Sequence, residues 1–385
     1  MKVLFISNLF PDAAEPTRGL DNACLVHELA KSCDIRVLAL RPTRCLPLLW
    51  RHGTFQRRPE DEAVSPVFCR TAYIPKVGGA VNHLLMARSI RRTLLSLRDR
   101  FRFDRALCAW VYPDGCAVAA LADHLHFPFV VIAQGTDVHR YLNMSARRRI
   151  IIRAMNRAIG VVTRSSSLAG LLRARGVEDS RLKTIYNGVA FDLFQPAAQS
   201  EARKELGLPP TAPVILYVGN FLPVKNPLLL MAAHAEINRR SAQRPCHLIM
   251  LGDGPLRSRI LSHAAAAGTL PWITLPGRKP PAQVARYMQA ANVLCVPSNN
   301  EGAPNVILEA FACGLPVVAT NVGGISEVLC HDFLGCLVEK SNLAELVTAL
   351  TRTLAAPPQT DRISDHARRF SWERTAAEYL QVMSR

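Results

Sequence analysis

No C-x-x-C pair occurs in the 385 residues, and the eleven cysteines are scattered from Cys24 to Cys336 in apolar settings such as LCAW and LCVP. That pattern argues against a zinc site or a disulfide framework and for reduced, buried thiols of a cytosolic protein. No apolar run approaches the roughly 18 to 20 residues that a spanning helix needs, so any membrane contact is expected to be peripheral. The start, MKVLFISNLFP, carries only a short apolar run before Pro11 and reads as a first buried strand rather than a signal peptide. Aromatic residues make up 6% of the chain, too few to interleave with basic residues as a single-strand nucleic-acid binder requires. Acidic residues are also scarce, 30 against 47 Lys and Arg. The resulting +17 is uneven, with +13 in residues 1–200 and +4 in the rest. The first half is therefore suited to phosphates, anionic lipid headgroups or nucleic acid.

What is present is a regular alternation. Apolar runs KVLFIS, IRVLAL, FVVIA, GVVT, VILYVG, HLIMLG, WITLPG, VLCVPS and PVVAT are separated by helical patterns. Such alternation marks parallel α/β sheets covered by helices. At this length two doubly wound domains are expected, with a linker at 188–213 where GVAFDLFQPAAQS leads to LGLPPTAP. The expected division is 1–190, 200–360 and a terminal segment 361–385, whose helix begins after Ser371.

One stretch concentrates chemistry. EGAPNVILEAFACGLPVV places Glu301 in a loop and Glu309 inside a helix that opens near Pro304 and ends at Gly314. Helix rise puts the two carboxylates about 10 Å or more apart, too far for a shared hydrolytic dyad. Between them the free amides of Ala303, Asn305, Val306 and Ile307 form a natural anion site. A ligand with hydroxyls at one end, phosphates in the middle and a diol at the other fits that layout. After VILYVG, the turn GNFLPVKN brings Lys225 to the start of the next helix, where it can meet a diphosphate. The glycines of LGDGPLRSRI lack a full dinucleotide fingerprint. In HLLMARSIRRTLLSLRDRFRF, Leu84, Ala87, Ile90, Leu94, Leu97 and Phe101 recur at helical spacing among six arginines, and RRRIIIRAMNR extends that basic surface.

Together EGAPNVILEAFACGLPVVATNVGGISE, VGNFLPVKN, LGDGPLR and YNGVAFDLFQP closely resemble the family 4 glycosyltransferases. The resemblance implies the GT-B fold: two Rossmann-like domains facing each other across a cleft, with the terminal helix crossing back to the first. It also implies a nucleotide-diphosphate sugar as donor, with no further cofactor and no metal; no D-x-D stands out against that. By position, Glu301 would contact the donor sugar, Glu309 the ribose, Lys225 the diphosphate, and the backbone near Arg278 the base. Gly19 in PTRGLDNA resembles the family's phosphate-facing glycine loop.

Two positions depart from the family pattern. Asn220 stands where Arg is frequent, so a reduced donor affinity or a compensating arginine from the first domain is expected. In AQGTDVHR, Gln134 stands where many members have His, while Asp137 is kept; Gln cannot shuttle a proton, and His139, two residues past Asp137, is either a substitute or a plain surface histidine. WVYPDGCAVAALADHLHFPFVVIAQGTD resembles a branch that builds teichuronic acid or exopolysaccharide. The expected activity is retaining sugar transfer to a lipid-linked or polysaccharide acceptor at the cytoplasmic membrane face, catalysed through Glu301, Lys225 and Asp137, with Gln134 and His139 on the acceptor side. A nucleotide-sugar epimerase, a degenerate transferase and a basic membrane- or nucleic-acid-binding protein are the alternatives.

Overall fold

A computed structural model describes residues 1–44, 55–241, 243–302, 305–357 and 359–385. The chain forms two compact units, one of residues 1–187 and 372–385 and one of residues 188–371.

The first unit is built on seven strands: β1 Lys2–Ser7, β2 Asp34–Arg44, β3 Val67–Tyr73, β4 Arg105–Ala109, β5 Phe129–Ala133, β6 Gly160–Thr163 and β7 Leu182–Thr184. All pair in parallel in the order β3-β2-β1-β4-β5-β6-β7. Strand β1 reads as a continuous apolar run because both of its faces are covered. Leu4 and Ile6 pack on one face with Ile90, Leu94 and Leu168, whereas Val3 and Phe5 pack on the other with Leu25 and Tyr379. The last helix, Trp372–Met383, completes that second face. Gly160 permits its close approach, since a Cβ there would lie 2.5 Å from Val382 Cγ1.

The second unit repeats the plan with β8 Val214–Val218, β9 His247–Leu251, β10 Ile273–Gly277, β11 Val293–Val296, β12 Val317–Thr320 and β13 Gly335–Val338. Their order is β10-β9-β8-β11-β12-β13, again parallel. In each sheet the order reverses once, beside β1 and β4 in the first unit and beside β8 and β11 in the second. Ligands of open parallel sheets bind outside the carboxyl ends of the strands at such reversals. The loops after β1, β4, β8 and β11 are thus the places to look.

The basic helix expected from residue 84 onward spans Asn82–Phe101, and Met86, Ala87, Ile90 and Leu94 lie buried against the first sheet. Leu84, counted on the apolar stripe, is instead 52% exposed. Arg88, Arg91, Arg92, Arg98, Arg100 and Arg102 are all exposed. Among the described residues no helix is long and apolar enough to cross a membrane.

Candidate functional site

In the second unit the loops after β8 and β11 meet. The β8 loop turns through a short 3-10 segment, Pro223–Lys225. Asn299 clamps it from the β11 loop, donating its backbone amide to the Val224 carbonyl at 2.8 Å and its side-chain amide to the Pro223 carbonyl at 3.1 Å. This clamp brings the Lys225 ammonium to both oxygens of the Glu301 carboxylate, each at 2.7 Å. Ser298 Oγ donates to the same carboxylate at 2.7 Å. Glu301 is 9% exposed at its side chain and Lys225 32% exposed, so the acid is enclosed while its partner is partly open to solvent. Beneath them, Tyr217 has a phenol pushed upward by burial and then by the Glu301 charge.

Backbone constraint fixes the acid. Gly323 has φ +57°, and a Cβ there would fall 1.8 Å from the Glu301 carbonyl oxygen. Only glycine lets the β12 loop pass so close. The helix after Glu301 runs Asn305–Ala312, with Ile307 buried, Asn305 and Val306 partly exposed and Glu309 half-buried on its third position past Val306. Gly314, at φ +71°, turns the chain out of it. Ala303 and Pro304 lie outside the described residues.

On the other flank Asn220 accepts a hydrogen bond at Oδ1 from Arg278 Nη2 at 3.3 Å. Its carbonyl accepts from Tyr217 Oη at 3.0 Å. The side chain of Arg278, for which only a backbone role was expected, therefore reaches the loop that carries Lys225. A separate concavity of about 510 Å3, lined by Asn292, Cys313, Pro316, Cys336, Arg352 and Thr360, opens at the other ends of these strands and shares no residue with this cluster.

In the first unit the loops after β1, β4 and β5 form a second cluster. Gly19, at φ +64°, caps helix Leu20–Leu29, and a Cβ there would sit 2.4 Å from the Leu9 carbonyl. Asn22 donates to that carbonyl at 2.7 Å and accepts from Gln134 Nε2 at 2.6 Å. Gln134 is thus tied to the glycine loop. Asp137 is fully buried, and its carboxylate accepts the backbone amides of Val111 at 2.8 Å, Gly135 at 2.8 Å and Gln134 at 3.1 Å. Burial raises its pKa to about 6 despite those donors. Asp114, held by the backbone and side-chain amides of Asn8 at 2.6 and 2.8 Å, is raised by burial to about 7. The His139 imidazole is shifted toward the neutral form by burial, and its Nε2 has no hydrogen-bond partner among the described residues.

The β1, β4 and β5 cluster contains Asn8, Asn22 and Asp114, and the β8 and β11 cluster contains Ser298 and Asn299. None was singled out from sequence, since single Asn, Ser and Asp residues in loops or at a helix start carry no distinguishing spacing. Among the described residues no group of three or more His, Cys, Asp or Glu could hold a metal ion.

Two doubly wound parallel sheets, each with a polar cluster beside its strand-order reversal, define an α/β protein of the kind that binds ligands at the carboxyl ends of its strands. The comparisons with known proteins give the family. The description Glycosyltransferase Family 4 matches residues 25–193, and Glycosyl transferases group 1 matches residues 198–370. The chain belongs to this group of GT-B glycosyltransferases. It is 29% identical to TuaC of Bacillus subtilis (strain 168), a glycosyltransferase assigned by name to teichuronic acid biosynthesis, over 91% of this chain and 89% of TuaC. It is 34% identical to a D-inositol 3-phosphate glycosyltransferase of Segniliparus rotundus over 52% of this chain and 46% of that protein. That match thus spans about half of the relative. Among solved structures, sucrose-phosphate synthase of Thermosynechococcus elongatus superposes with a TM-score of 0.81 at 22% identity, over 100% of this chain and 98% of that one. HepE of Anabaena, solved with UDP, gives 0.79 at 20% identity over 100% of both chains. At these identities the likeness is one of fold.

Proposed function

We propose that this glycosyltransferase moves a sugar, with retention and without a metal, from a nucleoside-diphosphate donor to a lipid-linked or polysaccharide acceptor of the cell surface. The observation that carries the donor reading is the Lys225–Glu301 pair at the reversal of the second sheet. A diphosphate takes the ammonium of the partly exposed Lys225, and sugar hydroxyls donate to the enclosed carboxylate. The bond from the anomeric carbon to the phosphate oxygen breaks as the acceptor oxygen bonds on the same face. The acceptor proton passes to the departing phosphate, and Lys225 stabilises the charge that develops there. Glu309, three residues beyond Val306 on the following helix, takes the ribose.

UDP sugars are the first donors to test, because HepE was solved with UDP and with UDP-glucose. A surface-polysaccharide acceptor is supported by the nearly full-length similarity to TuaC. The membrane part of the reading rests on the first unit. Val77, Val81, Leu84 and Met144 are exposed apolar side chains, and the arginines of helix Asn82–Phe101 lie on the same unit. Arg147, at the start of helix Ser145–Met155, donates to the Gly79 carbonyl at 3.1 Å, which joins the two basic helices at the turn beside Val77 and Val81. Exposed apolar side chains on a unit that also carries exposed arginines suit an anionic lipid surface.

The test of the donor reading is a thermal-shift panel of nucleotide sugars. Selective stabilisation by one nucleoside-diphosphate sugar beyond that given by its free nucleoside diphosphate, with this preference lost in Glu301→Gln, supports it. No stabilisation by any member of the panel refutes it.

A further inference from the structure

We propose that the Arg278 side chain, steered by Asn220, supplies the second positive charge for the donor's diphosphate. This assignment rests on the donor reading above. It starts from a charge balance: the Lys225 ammonium spans both oxygens of Glu301, so that pair is neutral as a whole. A nucleoside diphosphate brings more than one negative charge. One lysine already matched by a carboxylate does not balance it.

Arg278 is the cation in contact with the same loop. It follows Gly277, whose φ of +80° ends β10, and β10 lies two strands from β8. The side chain crosses the end of β9 and rests one Nη2–H on Asn220 Oδ1 at 3.3 Å. It is exposed, and its other N–H groups have no hydrogen-bond partner among the described residues. The neighbouring carboxylate, Asp253, accepts the amide of Gly254 at 2.8 Å rather than a bond from Arg278. Asn220 is itself fixed, because Tyr217 Oη holds its carbonyl and the Gly219 amide donates to the Leu251 carbonyl at 2.9 Å.

A guanidinium held by one edge to a neutral acceptor keeps its other donors free for phosphate oxygens. An aspartate at 220 would neutralise that cation, whereas asparagine aims it without cancelling it. Arg278 therefore acts on the phosphates, while the backbone around it remains free to line a base.

The experiment is calorimetric titration of the full-length protein with UDP, UMP and uridine, comparing wild type, Arg278→Gln and Asn220→Arg/Arg278→Gln. Arg278→Gln is expected to weaken UDP binding roughly tenfold or more, the loss of one charge-assisted bond, and to leave uridine binding unchanged. Its UDP affinity should also become less salt-dependent. A new arginine at 220 should restore UDP binding by returning the charge to the same loop. Arg278→Gln binding UDP like wild type, or losing UDP and uridine equally, overturns the assignment. Wild-type protein that binds none of the three overturns the donor reading itself, so the two failures are told apart.

Discussion

Replacing Lys225 by Met should cost far more stability than replacing Glu301 by Gln, and the double replacement should recover most of the loss. The asymmetry follows from exposure. The Glu301 side chain is 9% exposed, and without the ammonium its recorded partner is Ser298 Oγ at 2.7 Å. Stranding an enclosed carboxylate by removing its partner costs about 3–5 kcal/mol. Because Lys225 is itself 32% exposed, solvent reaches the pair and screens it, which brings the figure to roughly 2–3 kcal/mol. Glu301→Gln retains an acceptor for both Lys225 and Ser298 and releases the ammonium toward water, at a cost of about 1 kcal/mol or less. In Lys225→Met/Glu301→Gln no charge is stranded, so the coupling between the two sites should reach about 2 kcal/mol. Urea titration followed by circular dichroism measures each variant. With an m value of about 2 kcal/mol/M, Lys225→Met should lower the midpoint by roughly 1 M. Equal losses in the two single variants, or simple additivity in the double one, would refute the view that the acid is the enclosed partner of the pair.

Two further outcomes follow from the first unit. Asp114 and Asp137 have pKa values raised from 3.8 to about 7 and about 6 by burial, so the folded state binds protons that the unfolded chain has released. Their contribution to stability is complete below pH 4 and is lost as pH rises through 6 to 7. For Asp114 the change corresponds to roughly 4 kcal/mol, and Asp114→Asn should flatten the dependence of melting temperature on pH between 4 and 7; matching profiles for the variant and wild type would count against it. On the membrane side, sedimentation with vesicles should show binding to anionic but not zwitterionic lipid, weakened by Val81→Asp and Leu84→Asp. Retained binding in the double variant would exclude the apolar turn from the contact.

The sheets were readable in the sequence because parallel strands are covered on both faces. KVLFIS, FVVIA and VILYVG therefore appear as unbroken apolar runs, and all three are strands in place. The helix Asn82–Phe101 was readable too, yet Leu84 was misplaced. At about 100° per residue it lies roughly 100° from the centre of the face defined by Met86, Ala87, Ile90, Leu94 and Phe101, which is enough to leave it in solvent. The site was readable only one residue at a time. Lys225 and Glu301 were each singled out, but their contact joins positions 76 apart through two strand ends, and no local spacing encodes it. Arg164 gave no signal at all. It is 1% exposed and stacks over the Tyr379 ring at 5.7 Å, a pairing that exists only because the last helix returns to the first unit.

The neutral Lys225–Glu301 pair also bears on turnover in the proposed reading. An intact donor competes for both partners at once: phosphate draws the ammonium away while sugar hydroxyls replace it on the carboxylate. After transfer the sugar is gone, and a diphosphate that keeps Lys225 leaves Glu301 with Ser298 alone. Re-forming the pair then favours departure of the product, so the same enclosure that makes Lys225→Met costly should weaken binding of the nucleoside diphosphate relative to the donor. Glu301→Gln removes the charge that calls Lys225 back. It should hold UDP more tightly than wild type, and unchanged or weaker UDP binding in that variant would show that the pair plays no part in release.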